Sequence, residues 1–184
     1  MKIQILSDLH NEFLRNGQST SDHHWDGSIP QTSADIIILA GDIDIGTLGL
    51  EWAIRESARL SKPVIYVPGN HEFYHHEYFS LKNKMSSICE GTDVHCLDCG
   101  VYESPDVRII GATLWSDYAI NSQLAVERVM DIAEGRMPDH RIIKFNSGDG
   151  IDVFKALDAL SIHNKEVNWI EQQLSCDFDG QSIV

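Results

Sequence analysis

The chain has 184 residues and a mass of 20.7 kDa, with 42% hydrophobic and 23% charged residues. That is one domain's worth of chain, able to bury a core and far from a disordered composition. Fourteen Lys and Arg stand against 28 Asp and Glu, a formal net charge of −14, which argues against a broad basic face for nucleic acid or anionic membrane. A phosphate-bearing ligand would need positive charge supplied locally, as by metal ions. No run approaches the roughly 20 apolar residues of a membrane span. The start turns polar after Leu6 and does not read as a secretory signal. Cys89, Cys96, Cys99 and Cys176 are too sparse for a disulfide framework. A reduced, cytoplasmic protein is expected.

In chain order, Lys2–Leu6 reads as a first buried strand stopped by Ser7-Asp8. The polar stretch 15–33 reads as a long surface loop, with His23 and His24 on it. Ala34–Ala40 is a continuous apolar strand of the kind covered on both faces. Thr47–Leu60 has helical spacing, Pro63–Val67 is a third strand, and Phe79–Ile88 a second helix headed by His75 and His76. Val94–Leu97, Val101–Glu103 and Val107–Leu114 read as strands, the last two a hairpin around Ser104-Pro105-Asp106. Leu124–Ala133 and Phe154–Leu174 read as helices, the latter turning Leu157, Leu160, Val167, Ile170 and Leu174 to the core, and Trp115, Phe154 and Trp169 are expected core residues. Strands alternating with helices predict an α/β fold with a partly parallel sheet in one domain.

The first three strands each stop at a polar cluster: Asp8 and His10 after the first, Gly41 and Asp42 after the second, Gly69, Asn70, His71 and Glu72 after the third. If these strands are parallel, their carboxyl ends bring the clusters to one rim, where open α/β sheets bind ligands. Carboxylate, imidazole and amide oxygen form a mixed N/O donor set suited to Mn, Fe, Zn or Mg. Leu9 would point back to the core, Asp42 has two oxygens with which to bridge two ions, and the glycines permit close backbone approach. His71 is placed to donate a proton to a leaving group.

SDLH at Ser7–His10, AGD at Ala40–Asp42 and PGNHE at Pro68–Glu72, each after its own strand, resemble the calcineurin-like metallophosphoesterase superfamily. The resemblance implies an αββα sandwich and metal-dependent hydrolysis of phosphate mono- or diesters by metal-activated water. It implies Asp8 and His10 on a first metal, Asp42 bridging two, Asn70 on the second, and His71 as the catalytic residue at the substrate phosphate. Two divalent ions, Mn or Fe foremost, are implied for the complete fold, with a small phosphate ester as partner.

The sequence also departs from that pattern. The superfamily's later histidines include a Gly-His-x-His pair, which is absent here. Ser182–Val184 reads as the beginning of the strand that would lead to them. The expectation is therefore a C-terminally shortened metallophosphoesterase domain over residues 1–184, holding one ion weakly through Asp8, His10 and Asp42 and poorly active. The alternative is an inactive remnant that serves as a binding or interaction domain. Exposed sheet edge would favour self-association. The Gly41–Gly46 segment lacks the Arg of the protein Ser/Thr phosphatases, so the resemblance stops at the broad group. Cys96 and Cys99 form a lone CxxC, read as ordinary half-buried thiols, with a structural zinc or redox pair as the alternative.

Overall fold

In a computed structural model that describes residues 1–17, 25–119 and 124–184, β1 (Ile3–Leu6), β2 (Ile36–Ala40), β3 (Val64–Val67) and β4 (Val94–Cys96) form one parallel sheet in that order. α1 (Asn11–Arg15) follows β1, while α2 (Leu48–Leu60) and α3 (Tyr78–Cys89) make the crossovers. A second sheet carries β5 (Gly100–Glu103) antiparallel to β6 (Val107–Gly111), and β6 parallel to β9 (Gln181–Ile183). Between them in sequence come α4 (Val126–Arg136), α5 (Asp139–Ile142), the hairpin β7 (Lys144–Asn146)–β8 (Ile151–Val153) and α6 (Ala156–Ser175). His23 and His24 lie outside the described residues.

The apolar runs determine the layers. Ile36 and Ile38 on β2 and Ile65 on β3 point between the sheets and meet Val107 and Ile109 of β6. Ile37, Leu39, Val64 and Tyr66 point the other way, into the larger core with Leu50 and Ala53 of α2 and Leu81 and Met85 of α3. Burial on both faces is why β2 is apolar at every position. Helix ends follow local chemistry. Glu77 caps α3 by accepting from the Phe79 and Ser80 amides at 3.2 and 2.8 Å, and Asp158 accepts from the Lys155 amide at the start of α6 at 2.9 Å.

Several expectations need correction. β1 is an edge strand, only half covered: Ile5 faces between the sheets and is 63% exposed, because the second sheet does not extend over it. The strand expected to reach Leu114 ends at Gly111. His75 and His76 precede α3 in a turn, and His76 packs against Gly46. The described part of the long loop is pinned to α2: Ile29 is buried, its amide donates to Glu56 and its carbonyl accepts from Arg59. α6 is turned from the expected face. It buries Ala156, Ala159, Ile162 and Glu166 and leaves Leu157 66% exposed and Leu174 exposed. Trp115 and Phe154 are buried, whereas Trp169 is half-buried.

Candidate metal centre

Parallel pairing of β1, β2 and β3 brings their three following turns side by side. The first two stay bonded beyond the strands: the Asp8 amide donates to the Gly41 carbonyl at 3.0 Å, His10 to Asp42 at 3.0 Å and Asn11 to Ile43 at 2.9 Å. Asp8, His10 and Asp42 have φ of 53°, 47° and 57°, in the left-handed region. Non-glycine residues held there cluster at functional sites, where surrounding bonds over-determine the conformation. Leu9, between the first two, packs against the core.

Gly69 makes the third turn fit. A Cβ there would stand 2.7 Å from the Asp42 amide nitrogen and run into its carboxylate. On the other side Gly41, at φ +82°, would bring a Cβ to 3.2 Å from the Gly69 Cα. Glu72, fully buried, ties the turns together. One carboxylate oxygen accepts from the Ile43 amide and the Tyr66 hydroxyl, both at 2.8 Å; the other accepts from the Asp42 amide at 3.2 Å and the Gly69 amide at 2.8 Å. Burial raises the Glu72 pKa against the pull of these bonds. It also raises that of Tyr66, with the Glu72 charge adding to the effect, so the phenol keeps its proton and donates.

On this frame one donor atom each from Asp8, His10 and Asp42 lie within 4.8 Å of one another. Asp42 also accepts from the His71 amide at 3.1 Å, which fixes the carboxylate against the third turn. Asn70 lines the same cleft as Asp8 and Asp42; its amide nitrogen donates to the Tyr74 hydroxyl at 3.1 Å, leaving Oδ1 as the atom available to a cation. Burial, then the Asp139 charge, pushes the Tyr74 phenol up to about 12, so it remains a hydroxyl. The His10 and His71 rings meet edge to face at 4.4 Å between centroids. Each places Nδ1 3.1 Å from the same Glu12 oxygen. Two carboxylates and an imidazole at this spacing fit a divalent cation.

All five expected site residues therefore lie at one rim. Reading by strand ends did not single out Glu12, which sits two residues beyond His10 on α1, or assign a role to Glu72, although both are acidic neighbours of motif histidines. Their buried positions, 4% and 0% exposed, are properties of the fold. Asp44, buried beside the rim, is paired with Arg15 of α1. His140 also reaches the cleft wall, yet its Nε2 meets the Tyr118 hydroxyl at 3.2 Å and its Nδ1 the Phe154 carbonyl at 3.0 Å. The cleft has a volume of about 630 Å³ and runs from this rim between the sheets, past Ile5, Ile38, Ile109 and Ile183.

The family model of the calcineurin-like phosphoesterases matches residues 1–169. An uncharacterized protein of Acanthamoeba polyphaga mimivirus is 24% identical over 183 residues, which cover 94% of this chain and 62% of that protein. Among solved structures, a phosphopantetheinyl hydrolase from Mycobacterium tuberculosis superposes with a TM-score of 0.66 at 18% identity, over 98% of this chain and 66% of its own. The chain thus spans less than two thirds of the length of either relative.

Proposed function

Because the chain belongs to the calcineurin-like phosphoesterases, we propose that it hydrolyses phosphate mono- or diesters in a metal-dependent reaction, with Mn or Fe as the foremost cations and Zn or Mg as alternatives. The observation that carries this reading is the convergence of Asp8, His10 and Asp42 donor atoms within 4.8 Å, where Asp8 and Asp42 line the cleft. These three would hold the cation, with Asn70 Oδ1 beside them and Asp42 the residue able to bridge to a second. Such a cation, when bound, supplies Lewis acidity toward the phosphoryl oxygens and lowers the pKa of water.

The chain's own groups have separate tasks. Glu12 accepts from Nδ1 of both histidines, which holds both rings in one orientation and leaves Nε2 as the free nitrogen of each. His71 can then hold a proton for the departing oxygen. Glu72 keeps the three turns in register. The apolar flank of the cleft suits an ester whose organic part is long and largely apolar. A phosphopantetheinyl hydrolase shares the fold, which makes phosphopantetheinyl esters reasonable substrates to assay.

Residues 1–184 form one domain in this reading. The outer edges of β1 and β9 pair with no strand among the described residues, and Ile5 and Val184 are 63% and 65% exposed beside them. A second copy would associate there. No helix among the described residues is long and apolar enough to cross a membrane.

The test is hydrolysis of aryl phosphate mono- and diesters with Mn²⁺, Fe²⁺, Zn²⁺ or Mg²⁺ added to chelator-treated protein. Asp42→Ala should reduce turnover by at least about 100-fold, and His71→Ala by roughly 10²- to 10⁴-fold. Turnover that is indifferent to chelator and to both substitutions would remove the proposal.

A further inference from the structure

A second group of metal-ligating side chains lies away from the rim. Asp98 and Cys99 occupy the turn between β4 and β5, and Glu166 projects from the middle of α6; one donor atom from each lies within 4.8 Å of the others. Glu166 is 2% exposed, and the Asp98 side chain 10%. Glu166 Oε2 accepts from the Trp115 amide at 3.3 Å, while Glu166 Oε1 and Asp98 Oδ1 have no hydrogen-bond partner among the described residues. The one ion-paired cation is Lys82, at 2.7 Å from Asp98. Two carboxylates thus face a single ammonium.

A further observation converges on the same place. Tyr78 is buried with its hydroxyl beside the Trp115 side chain, and its pKa is raised by burial and then by the charges of Asp98 and Glu166, against the pull of a hydrogen bond with Trp115. Buried polar atoms are nearly always satisfied in native proteins. Glu166 Oε1 and Asp98 Oδ1, unpartnered and converging with the Cys99 thiol, mark a place for a guest.

The two thiols of the CxxC have different neighbours. Cys96 meets Cys89 of α3, whereas Cys99, at φ 53°, turns to the carboxylates. We propose that Asp98, Cys99 and Glu166 form a second divalent-cation site, for a sulfur-tolerant ion of the Zn²⁺ type, that fastens α6 to the β4–β5 turn. Two carboxylate oxygens and one sulfur leave a fourth tetrahedral position for water. The sulfur selects against Mg²⁺ and Ca²⁺. On binding, the Cys99 S–H bond breaks, its proton passes to solvent and a metal–sulfur bond forms, with no change of oxidation state.

The rim site has no sulfur donor, so Co²⁺ titration of the full chain separates the two. Binding at Cys99 should give a sulfur-to-cobalt charge-transfer absorption saturating at one equivalent and displaced by Zn²⁺. Cys99→Ser should abolish it, Cys176→Ser should leave it, and the near-isosteric Glu166→Gln should weaken Co²⁺ at least about 10-fold. A wild-type chain that shows no such absorption overturns the proposal without recourse to any variant, and leaves the spot to water. An absorption that survives Cys99→Ser overturns it equally.

Discussion

Glu72 and Glu166 are both withdrawn from water, at 0% and 2% exposure, yet their surroundings are opposite. Glu72 receives four donors, three of them backbone amides of the motif turns, so its carboxylate acts as the staple of the rim. Glu166 receives the Trp115 amide on one oxygen, and on its open side faces Asp98 and a thiol. Burial, then the Asp98 charge, pushes Glu166 up to about 7. Burial raises both pKa values, but the first carboxylate is engaged on both oxygens by the fold, whereas the second keeps one oxygen open to a proton or a cation. Burial alone therefore says little about a glutamate's role, whereas the number and origin of its donors say a good deal.

Of the two glutamates, Glu72 carries the larger expected effect. Glu72→Ala leaves the Asp42, Ile43 and Gly69 amides and the Tyr66 hydroxyl without their acceptor, and urea denaturation should report a loss of about 3–5 kcal/mol, the range for removing one partner from a buried charged network. Metal affinity at the rim should fall with it, because the bonds that hold Asp42 pass through this carboxylate. A loss below about 1 kcal/mol would mean the turns hold themselves.

Glu166→Gln should act in the other direction. In metal-free protein the native carboxyl titrates near 7 and the unfolded one near its ordinary 4.5. Between those values the native state binds more protons, so this group's contribution to stability falls as pH rises from 4.5 to about 7 and is flat above. The glutamine variant should be as stable as the wild type at pH 4.5. At pH 8 with chelator it should be more stable, by on the order of 1–3 kcal/mol. Saturating Zn²⁺ should reverse that order, since wild type alone keeps the full donor set. Parallel stability curves for the two proteins across this range would deny Glu166 its unusual position.

The rim was legible because its logic is local. An apolar run that ends at Ser7-Asp8, Gly41-Asp42 or Gly69-Asn70 announces a strand and the polar turn beyond it, and three such runs with crossovers between them imply one sheet and one rim. Glu12 and Glu166 were not legible, because what distinguishes them is proximity across the fold: Glu12 to His71, 59 positions away, and Glu166 to a turn more than sixty residues earlier. Ile5 looks like any buried strand residue; only the arrangement of the two sheets leaves it uncovered.

α6 shows the same limit in its mildest form. Its leucines and valine define one stripe, centred on Leu160 and Val167, whereas the buried stripe of Ala156, Ala159, Ile162 and Glu166 lies about a quarter turn round the helix at ~100° per residue. The small side chains are those that admit close approach, here to α4, where Ala133 is buried. Leu157, 66% exposed, then lies outside the core despite its hydrophobicity, as surface leucines commonly do. Leu157→Ala should change stability by no more than about 0.5 kcal/mol in thermal or urea unfolding. The ~2–5 kcal/mol typical of a buried leucine would instead require the helix to be rotated toward the face its apolar pattern advertises, and would move Glu166 away from Asp98 and Cys99 with it.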